Sequence, residues 1–541
     1  MNPKTVKLNA AHINFANAFR VTHRDRCKVE AIAQLLRITH PRQPPVRIVR
    51  VTGQRDHGRY ATTTPATITS KATSGANHGT GQTGYRIEIG GKHDDRGDNG
   101  LRRKHAGSRP ADLRQLADEN HAVSDSHGVT VEGCKPGPSI PRGWVAADCA
   151  GEAPRRERAP LGSRPEPAAL KRWLRLWTDV RHREAAERTL LTAIAAGLSP
   201  AVLADALLSA GTERAFADTG HSLDFINKAF ECLDLIGWEH ASALLPAIVG
   251  QMVAARGGEE STAWRQPVDL VALCDEASSQ MAQLFAAGRS LQGWSNHAML
   301  AWELLGDDPV KIIDALNTAI RGGATPADLG QSLAYGAALR VARFGNANEH
   351  ADWETAHHVF THANAVHQML KRIGTAGIDS DVAAVRGITH GAMALYLARY
   401  LNVPPARIPG EDNDQLDDLP ADEETIRIAL LDAFDRQRQV DLAARLVARY
   451  LTLGHPPQAL IATLALAVLR EDAGFHAYQM LEAGVRQFTA WGNVGEGRRV
   501  LIAVARYLAA HSPTERGTLQ TADIARRLMR GGEIHQGTGV S

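Results

Sequence analysis

Cysteine is scarce in this sequence: five in 541 residues, an odd number, with no pair spaced CxxC. That excludes a disulfide framework and a structural zinc site built on thiolates, and it fits a reducing cytosol. Aromatic residues are scarce as well, at 5%, and they are unevenly spread. All nine tryptophans lie at or beyond Trp144, and the first 143 residues hold only two phenylalanines, Phe15 and Phe19. Such a segment has too little apolar surface to offset the entropy of ordering it, so residues 1–145 are expected to be disordered or of low complexity. The net charge is only +2, and the basic clusters at Arg102, Arg103 and Lys104 and at Arg155, Arg156 and Arg158 have no interleaved aromatics. Nucleic acid is therefore not an expected partner. No apolar run is long enough for a signal peptide near the N-terminus or for a membrane span, and a cytoplasmic protein is expected.

From Pro167 onward, alanine and leucine recur at three- and four-residue spacing, the period of a helix. Leu170, Trp173, Leu174 and Trp177 fall on one face of the first such segment, with Lys171, Arg172 and Arg175 outside it. No run alternates as a strand does, so the fold class is all-α. The division expected is a helical domain over residues 146–408, an exposed acidic linker over 409–424, and a C-terminal helical block over 425–541.

An internal repeat organises the helical part. Residues 193–211, AIAAGLSPAVLADALLSAG, match 319–337, AIRGGATPADLGQSLAYGA. Gly197 and Gly323 suit the left-handed end of one helix; Ser199 and Thr325 suit the cap of the next, with Pro200 and Pro326 in its first turn. Downstream, His221–Leu233 aligns with His358–Leu370, pairing His221 with His358 and Asn227 with Asn364; GWEH (237–240) then corresponds to GITH (387–390). A weaker third match runs through Gly454, Pro457, Leu460 and His476 to a helix ending ARYLAAHSP. Stacked helical hairpins sharing one core are the architecture such repeats imply.

The chemistry-bearing feature is rich in histidine. Glu354, His358 and His362 lie at i, i+4 and i+8, aligned along one face of a helix; His357 and His367 point elsewhere. Two imidazoles one helical turn apart can serve one metal ion, and imidazole suits zinc, iron, copper and nickel. A pseudo-dyad between repeats would equate His221 with His358 and His240 with His390. The candidate metal ligands are thus His221, His240, Glu354, His358, His362 and His390, with iron or another His-bound metal as the cofactor. Histidines that merely hydrogen-bond across a helical core, and histidines acting in acid–base catalysis, are the competing readings. GTGQTG (79–84) lacks the strand and helix a nucleotide loop needs, and Arg96-Gly97-Asp98 is a coincidence of letters. Glu259, Glu260 and Trp264 read as a solvated helix start or the rim of a pocket.

Residues 146–541, through AADCAGEAPRRERAPLGSRPEPAALKRWLRLWTDVRHREAAERTLLTAI, DTGHSLDFINKAFECLDLIGWEH, EESTAWRQPVDLVAL and HHVFTHANAVHQML, resemble the helical region of bacterial Rieske 2Fe–2S domain-containing proteins. The resemblance implies an oxidoreductase-associated helical domain that holds a small-molecule substrate or meets a redox partner, preceded by a Rieske domain. The Rieske cluster needs CxH and CxxH. Cys27, Cys134 and Cys149 are followed by Lys-Val, Lys-Pro and Ala-Gly, so no iron–sulfur ligand is present. The expectation is that the ligand-bearing domain has been lost through a frameshift, a misassigned start or degeneration. GLSPAVLADALL and GATPADLGQSL are more faintly similar to units of alkylhydroperoxidase D and carboxymuconolactone decarboxylase, whose CxxC is absent here. The alternatives carried forward are a non-enzymatic helical scaffold that binds a partner and a peroxidase-like fold working through histidine acid–base chemistry.

Overall fold

A computed structural model describes residues 158–530 apart from 163–164, 292, 376–381 and 412–415. The expectations made for residues 1–145, Cys27, Cys134, Cys149, GTGQTG and Arg96–Asp98 lie outside the described residues. The described chain is all-α. Eighteen α-helices follow one another, joined by short loops and single 3-10 turns, and no strand occurs among the described residues. No helix among them is long and apolar enough to cross a membrane.

In chain order the helices are α1 (Pro167–Asp179), α2 (Arg183–Ala195), α3 (Pro200–Gly211), α4 (His221–Ile236), α5 (Ala241–Ala254) and α6 (Thr262–Arg265). Next come α7 (Leu270–Gly288), α8 (His297–Glu303), α9 (Pro309–Arg321), α10 (Pro326–Ala342), α11 (His350–Thr375) and α12 (Val382–Ala398). The C-terminal set is α13 (Glu423–Phe434), α14 (Val440–Thr452), α15 (Pro457–Arg470), α16 (Phe475–Trp491), α17 (Gly495–Ala510) and α18 (Gly517–Met529).

The repeat signals have the physical roles read from them. Gly197 and Gly323 adopt φ of +75° and +95°, and Gly454 of the third copy adopts +78°. The side chain of Ser199 accepts from the Val202 amide at the start of α3. At α10 the cap is reciprocal: Thr325 Oγ1 accepts from the Asp328 amide, and the Asp328 carboxylate accepts from the Thr325 amide. Pro200, Pro326 and Pro457 open their helices, and Leu203, Leu329 and Leu460 are buried.

The 26-residue helix α11 is the central element, packed against α3, α4, α10, α12, α16 and α17. One buried apolar cluster runs from Leu170 to Ala509, so the block after residue 425 shares the core of the repeats. The apolar core is continuous across the position of the expected linker. The segment from Pro409 to Glu424 joins α12 to α13, yet Ile408 and Leu416 are buried, Glu411 pairs with Arg499, and Asp417 and Asp418 pair with Arg449 and Arg445. Glu411, Asp417 and Asp418 are thus paired with arginines of α14 and α17, and Asp417 and Asp418 remain exposed. Glu259 and Glu260 likewise brace a loop: Glu259 accepts from the Ala215 amide, Glu260 pairs with Arg181, and Trp264 is buried against Phe216.

Candidate metal centre

Helices α4, α11, α16 and α17 meet so that seven ionisable side chains converge: His221, His350, Glu354, His357, His358, His476 and His511. A buried charged clamp fastens α4 to α16. Lys228 Nζ donates to Glu231 at 2.9 Å and to Glu482, Asn227 donates to Glu231 at 2.9 Å, and Arg486 donates to Glu482 at 2.7 Å. Beside it, both carboxylate oxygens of Asp224 are buried without hydrogen-bond partners, and burial pushes this group up to about 7.

Two pairs of imidazole nitrogens are spaced as ligands of one ion would be, and the donor atoms of Glu354, His357, His358 and His476 all lie within 4.8 Å of one another. His476 Nε2 lies 3.1 Å from His221 Nε2 and 3.2 Å from His358 Nε2, and the rings of His221 and His358 meet edge to face with centroids 4.4 Å apart. Ligand nitrogens held at about 2.0–2.1 Å from one ion sit roughly 3 Å from each other, which is this spacing. The tautomers decide what faces what. His221 Nδ1 is 3.1 Å from the carbonyl oxygen of Asp218, which can only accept, so Nδ1 carries the proton and Nε2 presents a lone pair. His476 Nδ1 is 2.6 Å from Glu354 Oε2, and its Nε2 faces the other two rings. One proton on His358 can serve one of these nitrogens, not both. A cation satisfies all three.

Electrostatics keep the donors in the form a metal needs. Burial lowers His221 and His350, holds His357 well below the ordinary range, and lowers His358 to about 3 with help from His221 and His476. Burial opposes ionisation of Glu354, but hydrogen-bonding contacts from His476 and His511 outweigh it, so its carboxyl is held well below the usual range. These four imidazoles are therefore neutral and Glu354 is anionic at neutral pH. His357 is fully buried and neither of its ring nitrogens has a hydrogen-bond partner; its Nδ1 lies 3.7 Å from Glu354 Oε2. A buried imidazole left so is rare, and here it lines the same cluster.

Of the residues expected from sequence, the structure brings together His221, Glu354 and His358, and leaves His240, His362 and His390 elsewhere. His240 sits in a surface turn, its side chain half exposed, 3.9 Å from Glu239. His390 is buried in α12 with Nδ1 unpartnered, and burial lowers it to about 3. The reason is backbone conformation. Gly237 has φ of +107° and ends α4, whereas Gly387 lies within α12, so GWEH and GITH match in letters and not in shape. His362 is two steps of four residues beyond Glu354. Each step turns about 40° around the helix, and the ring ends against Phe216 with Nε2 3.2 Å from the Gly387 carbonyl oxygen. His357 belongs to the cluster, contrary to expectation, because i+3 is a neighbouring position as i+4 is.

Sequence spacing places His476 only in the weak third match; its order after Gly454, like that of His221 after Gly197 and His358 after Gly323, is the signal that points here. His350 stands one turn before Glu354 at the start of α11, and His511 closes the ARYLAAH segment just after α17. Cys274 is a buried core residue, and burial pushes its thiol up to about 12. Clefts of about 320 Å³ beside Leu170, Leu174 and Leu203 and of about 740 Å³ beside Asn348, Val403 and Arg445 are lined by none of these histidines. No protein-family model, curated protein or solved structure matches this chain.

Proposed function

We propose that the helical domain is a metalloprotein whose ion is held by His221, His358 and His476, and that it serves an oxidoreductase-type reaction. The observation that supports the metal is the lone-pair accounting. His221, with Nδ1 held by the Asp218 carbonyl, and His476, with Nδ1 against Glu354, bring their Nε2 atoms to 3.1 Å, and His358 Nε2 lies 3.2 Å from that of His476. An imidazole whose Nδ1–H is held by a carboxylate is the usual way a protein fixes a metal-binding tautomer, and Glu354 does this for His476. Three imidazole ligands would leave coordination positions open for water or a small-molecule substrate.

Oxidation–reduction as the reaction type, with iron as the metal, rests on the resemblance to the helical region of Rieske-domain proteins. A redox partner would supply the electrons, since the chain has no CxH and CxxH pair to hold a cluster. A scaffold without metal is the competing reading, favoured by one contact: His476 Nδ1 and Glu354 at 2.6 Å can form an imidazolium–carboxylate pair.

Metal analysis of the purified full chain decides between them, with wild type beside His358→Ala and His476→Ala and helicity followed by circular dichroism. An ion in near-stoichiometric amount that both substitutions remove without loss of helix supports the centre. Protein that takes up no iron, zinc or cobalt when each is added leaves the scaffold.

A further inference from the structure

Glu354 presents its two oxygens to two different groups. Oε2 faces His476 and His357, while Oε1 lies 3.3 Å from His511 Nε2 and 3.6 Å from His350 Nε2 and accepts a hydrogen bond from the Tyr507 hydroxyl at 2.9 Å. The donor atoms of His350, Glu354 and His511 all lie within 4.8 Å of one another, a separation one ion can bridge after small side-chain movements. The tautomer argument recurs. His511 Nδ1 is 2.7 Å from the Tyr507 carbonyl oxygen, so Nδ1 carries a proton, and Nε2 is turned toward a carboxylate oxygen. That Nε2 is buried and makes no hydrogen bond. A positive charge between these two atoms, carried by a proton or by a cation, reconciles them.

The pocket has walls and an entrance. The rings of Tyr507 and His511 lie with centroids 4.1 Å apart, the ring of His350 meets that of His511 edge to face at 4.2 Å, and the His350 side chain is 71% exposed.

We propose that His350, Glu354 Oε1 and His511 form a second divalent-cation site, coupled to the three-histidine centre through the Glu354 carboxylate, which holds His476 with its other oxygen. The inference rests on the proposed first centre for its coupling, though not for its ligands. Two imidazoles and one carboxylate suit borderline ions such as Zn²⁺, Fe²⁺ and Co²⁺. Each ion draws electron density from the same carboxylate, so occupancy at one site changes affinity at the other.

The test is Co²⁺ titration of the metal-stripped full chain by calorimetry, with bound cobalt counted after desalting. Wild type is expected to bind two Co²⁺ per chain. His350→Ala, at an exposed position where folding is safe, and His511→Gln are each expected to weaken one step about tenfold or more while the other remains. His358→Ala is expected to remove the other step. One Co²⁺ in wild type, untouched by His350→Ala and lost in His358→Ala, overturns the second site and leaves the first standing. Two Co²⁺ that neither His350→Ala nor His511→Gln affects also overturn it, placing the second ion elsewhere. No Co²⁺ at all overturns both and makes the cluster an imidazolium–carboxylate network.

Discussion

Helix α11 carries two kinds of histidine a few residues apart. His362 and His367 are buried and provided for: His362 Nε2 has the Gly387 carbonyl, and His367 Nδ1 has Gln487, which also donates to Asn364 at 2.8 Å. His357 is as deeply buried and His358 is half-buried, but they face other imidazoles and one carboxylate instead of amides. Burial lowers the basicity of both pairs, so pKa does not separate them. Partner chemistry does. A histidine beside a carbonyl or a side-chain amide has an outlet for its proton or its lone pair and needs no third body. Histidines whose lone pairs meet one another are satisfied only by an added positive charge.

The largest effect expected follows from that difference. An ion bound only by the folded state stabilises it by about 4 kcal/mol at a thousandfold excess over Kd. Removing it with a chelator is expected to lower the thermal midpoint of wild type by several degrees. The midpoint of His476→Ala is expected to be insensitive to the same chelator, as measured by differential scanning calorimetry. Equal sensitivity in both proteins would erase the distinction between the two kinds of histidine.

A purely structural contact calibrates the scale. Arg506 is fully buried and donates to the Phe344 carbonyl and Asn346 Oδ1 at 2.7 and 2.8 Å and to Asp441 at 2.7 Å, tying α17 to the end of α10 and the start of α14. Arg506→Met is expected to cost about 3 kcal/mol in chemical denaturation with metal content unchanged. Loss of metal in this variant would show that the centre depends on the α10–α17 packing as a whole.

Acid separates the regions in another way. Burial lowers His362 and His367 to about 4 and His390 to about 3, from an ordinary 6.5. Their folded pKa lies below the unfolded one, so the unfolded chain binds protons first as the pH drops. Stability is full above about 6.5 and declines through the window down to about 4. At pH 5 each group costs on the order of 1–2 kcal/mol. Urea unfolding of metal-free protein between pH 8 and pH 5 is expected to show this decline, and its slope is expected to shrink in His367→Gln. A flat profile would mean that these rings are already protonated or hydrated in the fold.

How much of this was legible in the sequence follows from which interactions are local. Caps and helix starts depend on three or four consecutive residues, and Gly197, Thr325 and Pro326 were readable for that reason. The pairing of Glu354 with His358 needs only one helical turn. Assembly of the centre needs α16 and α17 to return to α11 across more than a hundred residues, as in His358 with His476 and Glu354 with Tyr507. No spacing rule reaches that far. The repeat reaches part of the way, since it pairs His221 with His358 and puts His476 in a weaker third match, but the same alignment also equates His240 with His390, which the backbone does not support. A repeat transfers position faithfully only where the backbone conformation repeats with it. Gly197 and Gly323 are both left-handed; of Gly237 and Gly387, only the first is.

The smallest effect expected is at His240, and it tests the limit of the repeat. The side chain is 49% exposed in the turn after α4, with Glu239 3.9 Å away as its ion-pair contact. His240→Ala is expected to change stability by less than about 0.5 kcal/mol, as exposed substitutions commonly do, and to leave bound metal unchanged. His221→Ala, nineteen residues earlier and at the start of the same helix, is expected to remove the ion. The pair of variants compares two histidines that the sequence treated alike and that the fold separates by burial and partners. If His240→Ala lowered metal content as His221→Ala does, the turn at Gly237 would have to fold inward in solution, and the three-histidine centre would gain a fourth ligand from the repeat.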